Sequence, residues 1–253
     1  MSAPPSTAPD SCPFGLCDGG GFIIDVESNT ARDCRCRPIR ISRARARSLS
    51  AVIPRRYRGV SFDRAPVTEV PAPIVSEVRR YVHRLAAHLD EGRGLWLVGD
   101  VGTGKTTLAM LVSKAALDAG RSVAIYSLPR LLNLLREAID SPAGKLDLLD
   151  RLAAVDLLHI DDLGAESTTE WVLEQLYSIV NARYEAQRAM IATSNLMPEE
   201  LAEQIGQRTV SRLVEMCGDP LPLFGADRRQ DFGAGAGADA QPSGVDGLRA
   251  RLT

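Results

Sequence analysis

Residues 95–107 read Leu-Trp-Leu-Val-Gly-Asp-Val-Gly-Thr-Gly-Lys-Thr-Thr. Gly99 to Thr106 forms a G-x-x-x-x-G-K-T pattern, and its flanks decide what the pattern means. Leu95–Val98 is an apolar run of strand length, and Thr106–Ala119 is an amphipathic run of helix length. Strand, glycine-rich turn and helix in that order predict a phosphate-cradling loop, not a glycine-rich connection with an incidental lysine. Gly99, Gly102 and Gly104 let the chain turn tightly, so that the N–H groups of Asp100, Val101 and Thr103 converge with the helix N-terminus on an anion. Lys105 is placed to reach β- and γ-phosphate oxygens. The Thr106 hydroxyl is placed to ligate Mg²⁺, and Thr107 closes the set. The stretch predicts a nucleoside triphosphate site with Mg²⁺.

Outward from this loop the chain alternates in type. Strand-like runs fall at 122–127, 155–160, 189–193 and 221–224, and helical runs at 105–119, 129–139, 145–153, 168–186, 198–205 and 207–216. Upstream, Ile74, Val75, Val78, Val82, Leu85 and Leu89 recur at helical spacing up to Gly92. Short apolar strands separated by helices predict an α/β unit: a parallel five-stranded sheet covered by helices on both faces.

Leu157-Leu158-His159-Ile160-Asp161-Asp162 is an apolar strand that ends in two acids. Carboxylates at the end of a parallel strand neighbouring the loop strand belong beside the Mg²⁺ site. Asp161 is expected to hold the metal through water, and Asp162 to orient or deprotonate the attacking water. Asn195 closes the next strand and is expected to hydrogen-bond that water or the γ-phosphate. His83, His88 and His159 have no carboxylate at a useful spacing and are given no catalytic role.

Composition sets the setting. The 253 residues are 45% apolar and 25% charged, ordinary values for a water-soluble domain. No stretch is long and apolar enough to predict a membrane span, and the opening MSAPPSTAPDS has neither the basic start nor the apolar core of a secretory signal. A cytoplasmic protein is expected, where clustered cysteines more often hold metal than form disulfides. The net charge of −2 hides an asymmetry: Ala31–Val60 carries ten arginines and one acid, a segment of +9. Such a block either tracks a polyanion or acidic protein face, or is a solvated linker. The expected layout is a disordered 1–11, a cysteine unit at 12–36, a basic linker at 37–73, the nucleotide domain at 74–228 and a disordered tail at 229–253.

Cys12, Cys17, Cys34 and Cys36 flank a glycine turn and a strand-like run at Phe22–Val26. Four thiolates predict a closed structural Zn²⁺ site in a small ribbon-like unit. The x₄ and single-residue gaps depart from the usual C-x₂-C, which leaves a disulfide pair or free thiols as alternatives. Cys217 reads as a buried core thiol.

The ordered set GDVGTGKT, LLHIDDLG, ATSNL and GQRTVSRLVEMC resembles the AAA+ ATPases of the DnaC/DnaI helicase-loader group, with IstB transposition ATPases as close relatives. The resemblance covers roughly residues 54–228. It implies that Asn195 is a sensor of the γ-phosphate. It also implies that Arg212, with Arg208 as second candidate, is an arginine finger that completes the site of a neighbouring copy. Residues 128–152 fall where initiator and loader ATPases carry an added helical element lining a DNA channel. Arg130, Arg136 and Lys145 are its candidate phosphate contacts. The chain departs from the AAA+ pattern in having Asp162 in place of the second-acid glutamate. It also has no helical lid after residue 225, as in DnaC and IstB proteins. The implied function is loading a replicative helicase on single-stranded DNA with slow, DNA-stimulated ATP hydrolysis, the cysteine unit and basic segment engaging the helicase. Two alternatives stay open: an IstB-like regulator of transposition, and a zinc-stapled adaptor whose ATP site is only a structural switch.

Overall fold

Strand β3 (Leu95–Gly99) is buried along its whole length, and its alternation sets the architecture. Leu95 and Leu97 face one apolar layer with Val78, Leu108 and Val112, while Trp96 and Val98 face the other with Leu131, Leu176 and Leu213. The first layer is supplied by α1 (Ala72–His83), α2 (Leu85–Asp90) and α3 (Lys105–Asp118). The second comes from α4 (Leu128–Glu137), α5 (Pro142–Ala154), α6 (Glu170–Glu185), α7 (Pro198–Ile205) and α8 (Gln207–Cys217). The structure, a computed structural model, describes residues 12–25, 29–37, 40–41, 53–138, 142–165 and 169–227. The segments 1–11 and 229–253, expected to be disordered, and Arg43, Arg45 and Arg47 of the basic block lie outside the described residues.

The expected parallel sheet is present. Five strands lie in the order β4 (Val123–Ser127), β5 (Leu157–Leu163), β6 (Ala189–Ser194), β3 and β7 (Leu221–Leu223), every pair parallel. This order corrects one expectation: the strand bearing Asp161 and Asp162 is not the neighbour of the loop strand, because β6 lies between them. A separate two-stranded antiparallel hairpin, β1 (Phe22–Asp25) and β2 (Thr30–Asp33), carries the cysteine unit.

Two further differences matter. The helical repeat from Ile74 is broken into two helices at Arg84, whose backbone leaves the helical region (φ −107°, ψ 19°). The stretch 53–71, expected as the second half of a linker, belongs to the domain instead. Ile53, Val67 and Val70 are buried, Val67 and Val70 in the same layer as α1 and α3, so removing them from water outweighs the freedom of a linker.

Gly99 is pinned between sheet and loop. Its φ is +131°, and a Cβ there would lie 2.0 Å from the Leu223 carbonyl oxygen of β7. Gly99→Ala is expected to cost about 3 kcal/mol through backbone strain and overlap. That lowers the thermal midpoint by roughly 5–10 °C in a scan of the folded chain.

Candidate nucleotide site and cysteine centre

The loop after β3 opens onto a cleft of about 250 Å³. Residues 101–107 form its floor, Asp162, Ala165 and Asn195 one wall, and Tyr57 and Pro66 the other. Gly102 and Gly104 take φ of +79° and +106°, the left-handed conformation that the tight turn requires. The turn brings Lys105 back under the loop. Its buried Nζ donates to the Gly99 and Asp100 carbonyl oxygens at 2.7 and 2.6 Å, which holds the ammonium at the cleft floor. Thr103 Oγ1 also donates to Asp100 O, at 2.8 Å.

A bulge in β5 carries Asp162 into the cleft and leaves Asp161 buried outside its lining. Ile160 pairs with Ala192 and Leu163 with Ser194, so β5 carries one more residue than β6 across the Asp161–Asp162 step. Asp162 absorbs the extra residue with a φ of +61° and lines the cleft. Its N–H donates to Thr193 Oγ1 at 2.9 Å, and that hydroxyl donates in turn to Asp161 Oδ1 at 2.7 Å. Burial pushes the Asp161 carboxyl up. The polar His159 ring nearby and the Thr193 and Thr106 hydroxyls more than offset it, and the group stays below the usual carboxylate range. Thr106 and Asp161, the expected magnesium pair, are therefore brought together. Ser194 Oγ donates to Leu163 O at 2.7 Å and accepts from Leu196 N–H at 3.0 Å, fixing the turn that presents Asn195.

A second centre lies in the hairpin unit. The sulfurs of Cys12, Cys17, Cys34 and Cys36 all fall within 4.8 Å of one another, with Cys12–Cys34 at 3.7 Å and Cys17–Cys36 at 3.5 Å. Tetrahedral Zn–S bonds of about 2.3 Å put sulfurs about 3.8 Å apart, so the set fits zinc. The unequal gaps are absorbed by the hairpin, where Cys34 N–H donates to Gly21 O at 2.9 Å. Desolvation raises the Cys12 thiol, but the Leu16, Phe14 and Cys17 backbone outweighs it and brings the group down to about 6. Desolvation and the three neighbouring sulfurs push Cys36 up to about 12. Four thiolates crowded this closely need a cation to share their charge.

Compared with known families, residues 41–214 match the model of the IstB-like ATP binding protein. The chain belongs to that family. Among individual proteins it is 28% identical over 142 residues to the replicative helicase loader DnaC of Escherichia coli K12, covering 55% of this chain and 56% of that one. To the replicative helicase loader DnaI of Bacillus subtilis 168 it is 27% identical over 151 residues, covering 55% and 48%. The chain thus spans about half the length of these relatives. Solved structures of the DnaC helicase loader and of DnaI superpose with TM-scores of 0.57, each at 25% identity, covering 68% and 73% of this chain and 99% and 100% of theirs. The domain is an AAA+ P-loop fold.

The IstB-like match takes in Arg208 and Arg212 but not the four clustered cysteines. Neither arginine lines the chain's own cleft. Arg208 is exposed, whereas the half-buried Arg212 guanidinium lies 4.7 Å from the Tyr177 ring and 5.5 Å from that of Tyr184. Arg130 and Arg136 stand exposed on α4 and Lys145 is half-buried on α5, all away from the cleft. Arg136 donates to Asn133 Oδ1 at 3.1 Å and sits 5.0 Å over the Trp171 ring of α6, an aromatic that the helical element itself lacks.

Sequence reasoning missed several of the cleft's residues. Tyr57 and Pro66 come from the stretch read as linker, and no periodicity ties them to the loop. The reading that His159 has no carboxylate at a useful spacing is corrected: its Nε2 lies 3.8 Å from Asp161 Oδ1. The signal was available, because residues i and i+2 of a strand share a face.

Proposed function

We propose that this chain is an ATP-driven loader of a replicative DNA helicase. One observation carries the reading: Lys105, Thr106, Asp162 and Asn195 line one cleft, with Asp161 against the Thr106 hydroxyl, in a domain similar to DnaC and DnaI. Lys105 and the loop N–H groups bind the β- and γ-phosphates. Thr106 and Asp161 would hold Mg²⁺, which would neutralise charge developing on the transferred phosphoryl group. Asp162 positions the attacking water and Asn195 reads the γ-phosphate. Arg212 of one copy, with Arg208 as second candidate, completes the site of the next, so ATP drives self-association. Arg130, Arg136 and Lys145 contact single-stranded DNA, which stimulates a slow hydrolysis. The cysteine centre and the arginine-rich segment grip the helicase, and hydrolysis releases it.

Zinc in the cysteine centre has its own check. Metal analysis of the purified chain is expected to find one zinc per chain, lost in a Cys34→Ser, Cys36→Ser double variant. ATP affinity should stay within about twofold, because the hairpin contributes nothing to the cleft walls. Absence of zinc from the wild type would contradict the assignment.

The loader reading is tested by co-purifying the full chain with its cognate replicative helicase in ATP and in ADP. A complex that responds to nucleotide supports it. A second reading, an ATPase that regulates transposition on duplex DNA, is favoured by the family match itself. Absence of any helicase complex, with a transposase retained instead, would decide for it.

A further inference from the structure

His159 sits at the junction of the P-loop helix and the acid-bearing strand, and it is fully buried. On the strand face it shares with Leu157 and Asp161, it looks toward α3. There its Nδ1 lies 3.0 Å from the hydroxyl of Ser113, which is equally buried. Nε2 has no hydrogen-bond partner among the described residues, and the group it faces is the Asp161 carboxylate, 3.8 Å away. That distance is beyond a hydrogen bond but within a small side-chain rotation of one. A buried donor without a partner is costly, so a state that satisfies it is favoured.

We propose that Ser113 and His159 are positioning residues for Asp161. Ser113 Oγ–H donates to Nδ1, which places the ring proton on Nε2. That N–H, together with the Thr193 hydroxyl, secures Asp161 Oδ1 when the carboxylate turns to its metal-engaged orientation, and leaves Oδ2 for the magnesium side. Ser113 lies two helical turns beyond Thr106 on the same helix, so α3 carries both Thr106 and the residue that orients His159. The helix therefore meets the surroundings of Asp161 at two points, Thr106 and, through His159, Ser113. The inference rests on the nucleotide reading of the cleft given above.

The test is the free Mg²⁺ concentration that half-saturates binding of a fluorescent ATP analogue to the full chain, read beside the analogue's affinity in EDTA. His159→Leu fills the same apolar strand position. It is expected to raise the Mg²⁺ midpoint about tenfold while the affinity in EDTA stays within twofold. His159→Gln, whose amide can donate toward Asp161, should restore most of the shift, and Ser113→Ala should raise the midpoint about threefold. A purely structural role would move both readouts together or neither. An unchanged Mg²⁺ midpoint in His159→Leu overturns the proposal. Should that variant not fold, an unchanged midpoint in Ser113→Ala does so. If the wild type binds no analogue in either condition, the nucleotide reading fails and takes this proposal with it.

Discussion

Replacing Lys105 by alanine is expected to lower ATP turnover by at least about 100-fold, the scale set by removing one preorganised charge donor from a transferring group. The ammonium is the single cation lining the cleft among its described residues, and it is held at the loop by two backbone carbonyls. Alanine removes that charge and both hydrogen bonds. At roughly 1 kcal/mol each, the bonds matter far less to folding than the charge does to catalysis. The variant should therefore keep the wild-type circular dichroism spectrum while phosphate release disappears. Turnover within threefold of wild type would mean that the cleft is not where hydrolysis occurs. Conversely, measurable wild-type turnover that this variant abolishes excludes an adaptor whose ATP site is only a structural switch.

The largest effect on stability is expected at Arg183, which is fully buried on α6. Its guanidinium donates to Leu152 O at 2.6 Å, Val155 O at 3.1 Å and Asp156 O at 3.4 Å, and also to Ala189 O. The first three are carbonyls at and just past the C-terminal end of α5, the groups that a helix end leaves without partners and where a cation is favoured. The fourth opens β6. One side chain thus ties α5, α6 and β6 together at the end of the sheet opposite Asp161 and Thr193. Burial, with Arg188 nearby, pulls the guanidinium down to about 9, partly offset by Asp156, and it stays charged at neutral pH. Arg183→Met strands those carbonyls and is expected to cost about 4 kcal/mol, lowering the thermal midpoint by roughly 10 °C. Arg183→Lys, with a single nitrogen, should recover less than half of the loss. A midpoint within 2–3 °C of wild type for the methionine variant would show that the carbonyls find other partners (on the order of the shift for 1 kcal/mol).

Different physical signals explain what was and was not legible before the structure. The loop strand was readable as a short, continuous apolar run, as a strand covered on both faces requires, and the helices by their period of about 3.6. Lys105, Thr106 and the two acids were readable because phosphate chemistry demands those residue types at the ends of such elements. The bulge at Asp162 was not. A strand that gains a residue looks like any other until its partner's register is known. Tyr57 came into the cleft wall through a stretch whose prolines argued against helix but said nothing of packing. Nothing in the helical run 168–186 marks Arg183 out, since its burial depends on where α5 ends. His159 was legible in principle, two residues from Asp161 on one strand face. Its partner Ser113, 46 positions earlier in the chain, was not.

ATP held at residues 99–106 is expected to set how long the helicase is gripped. The most direct measurement is the lifetime of the complex between this chain and its cognate replicative helicase, in a non-hydrolysable ATP analogue, in ADP, and in ATP with single-stranded DNA. The predicted result is a long-lived complex with the analogue and release within about one turnover in ATP with DNA. Lys105→Ala should show no response to nucleotide. A lifetime that is the same under all three conditions, or no complex in any of them, would contradict a nucleotide-timed loader.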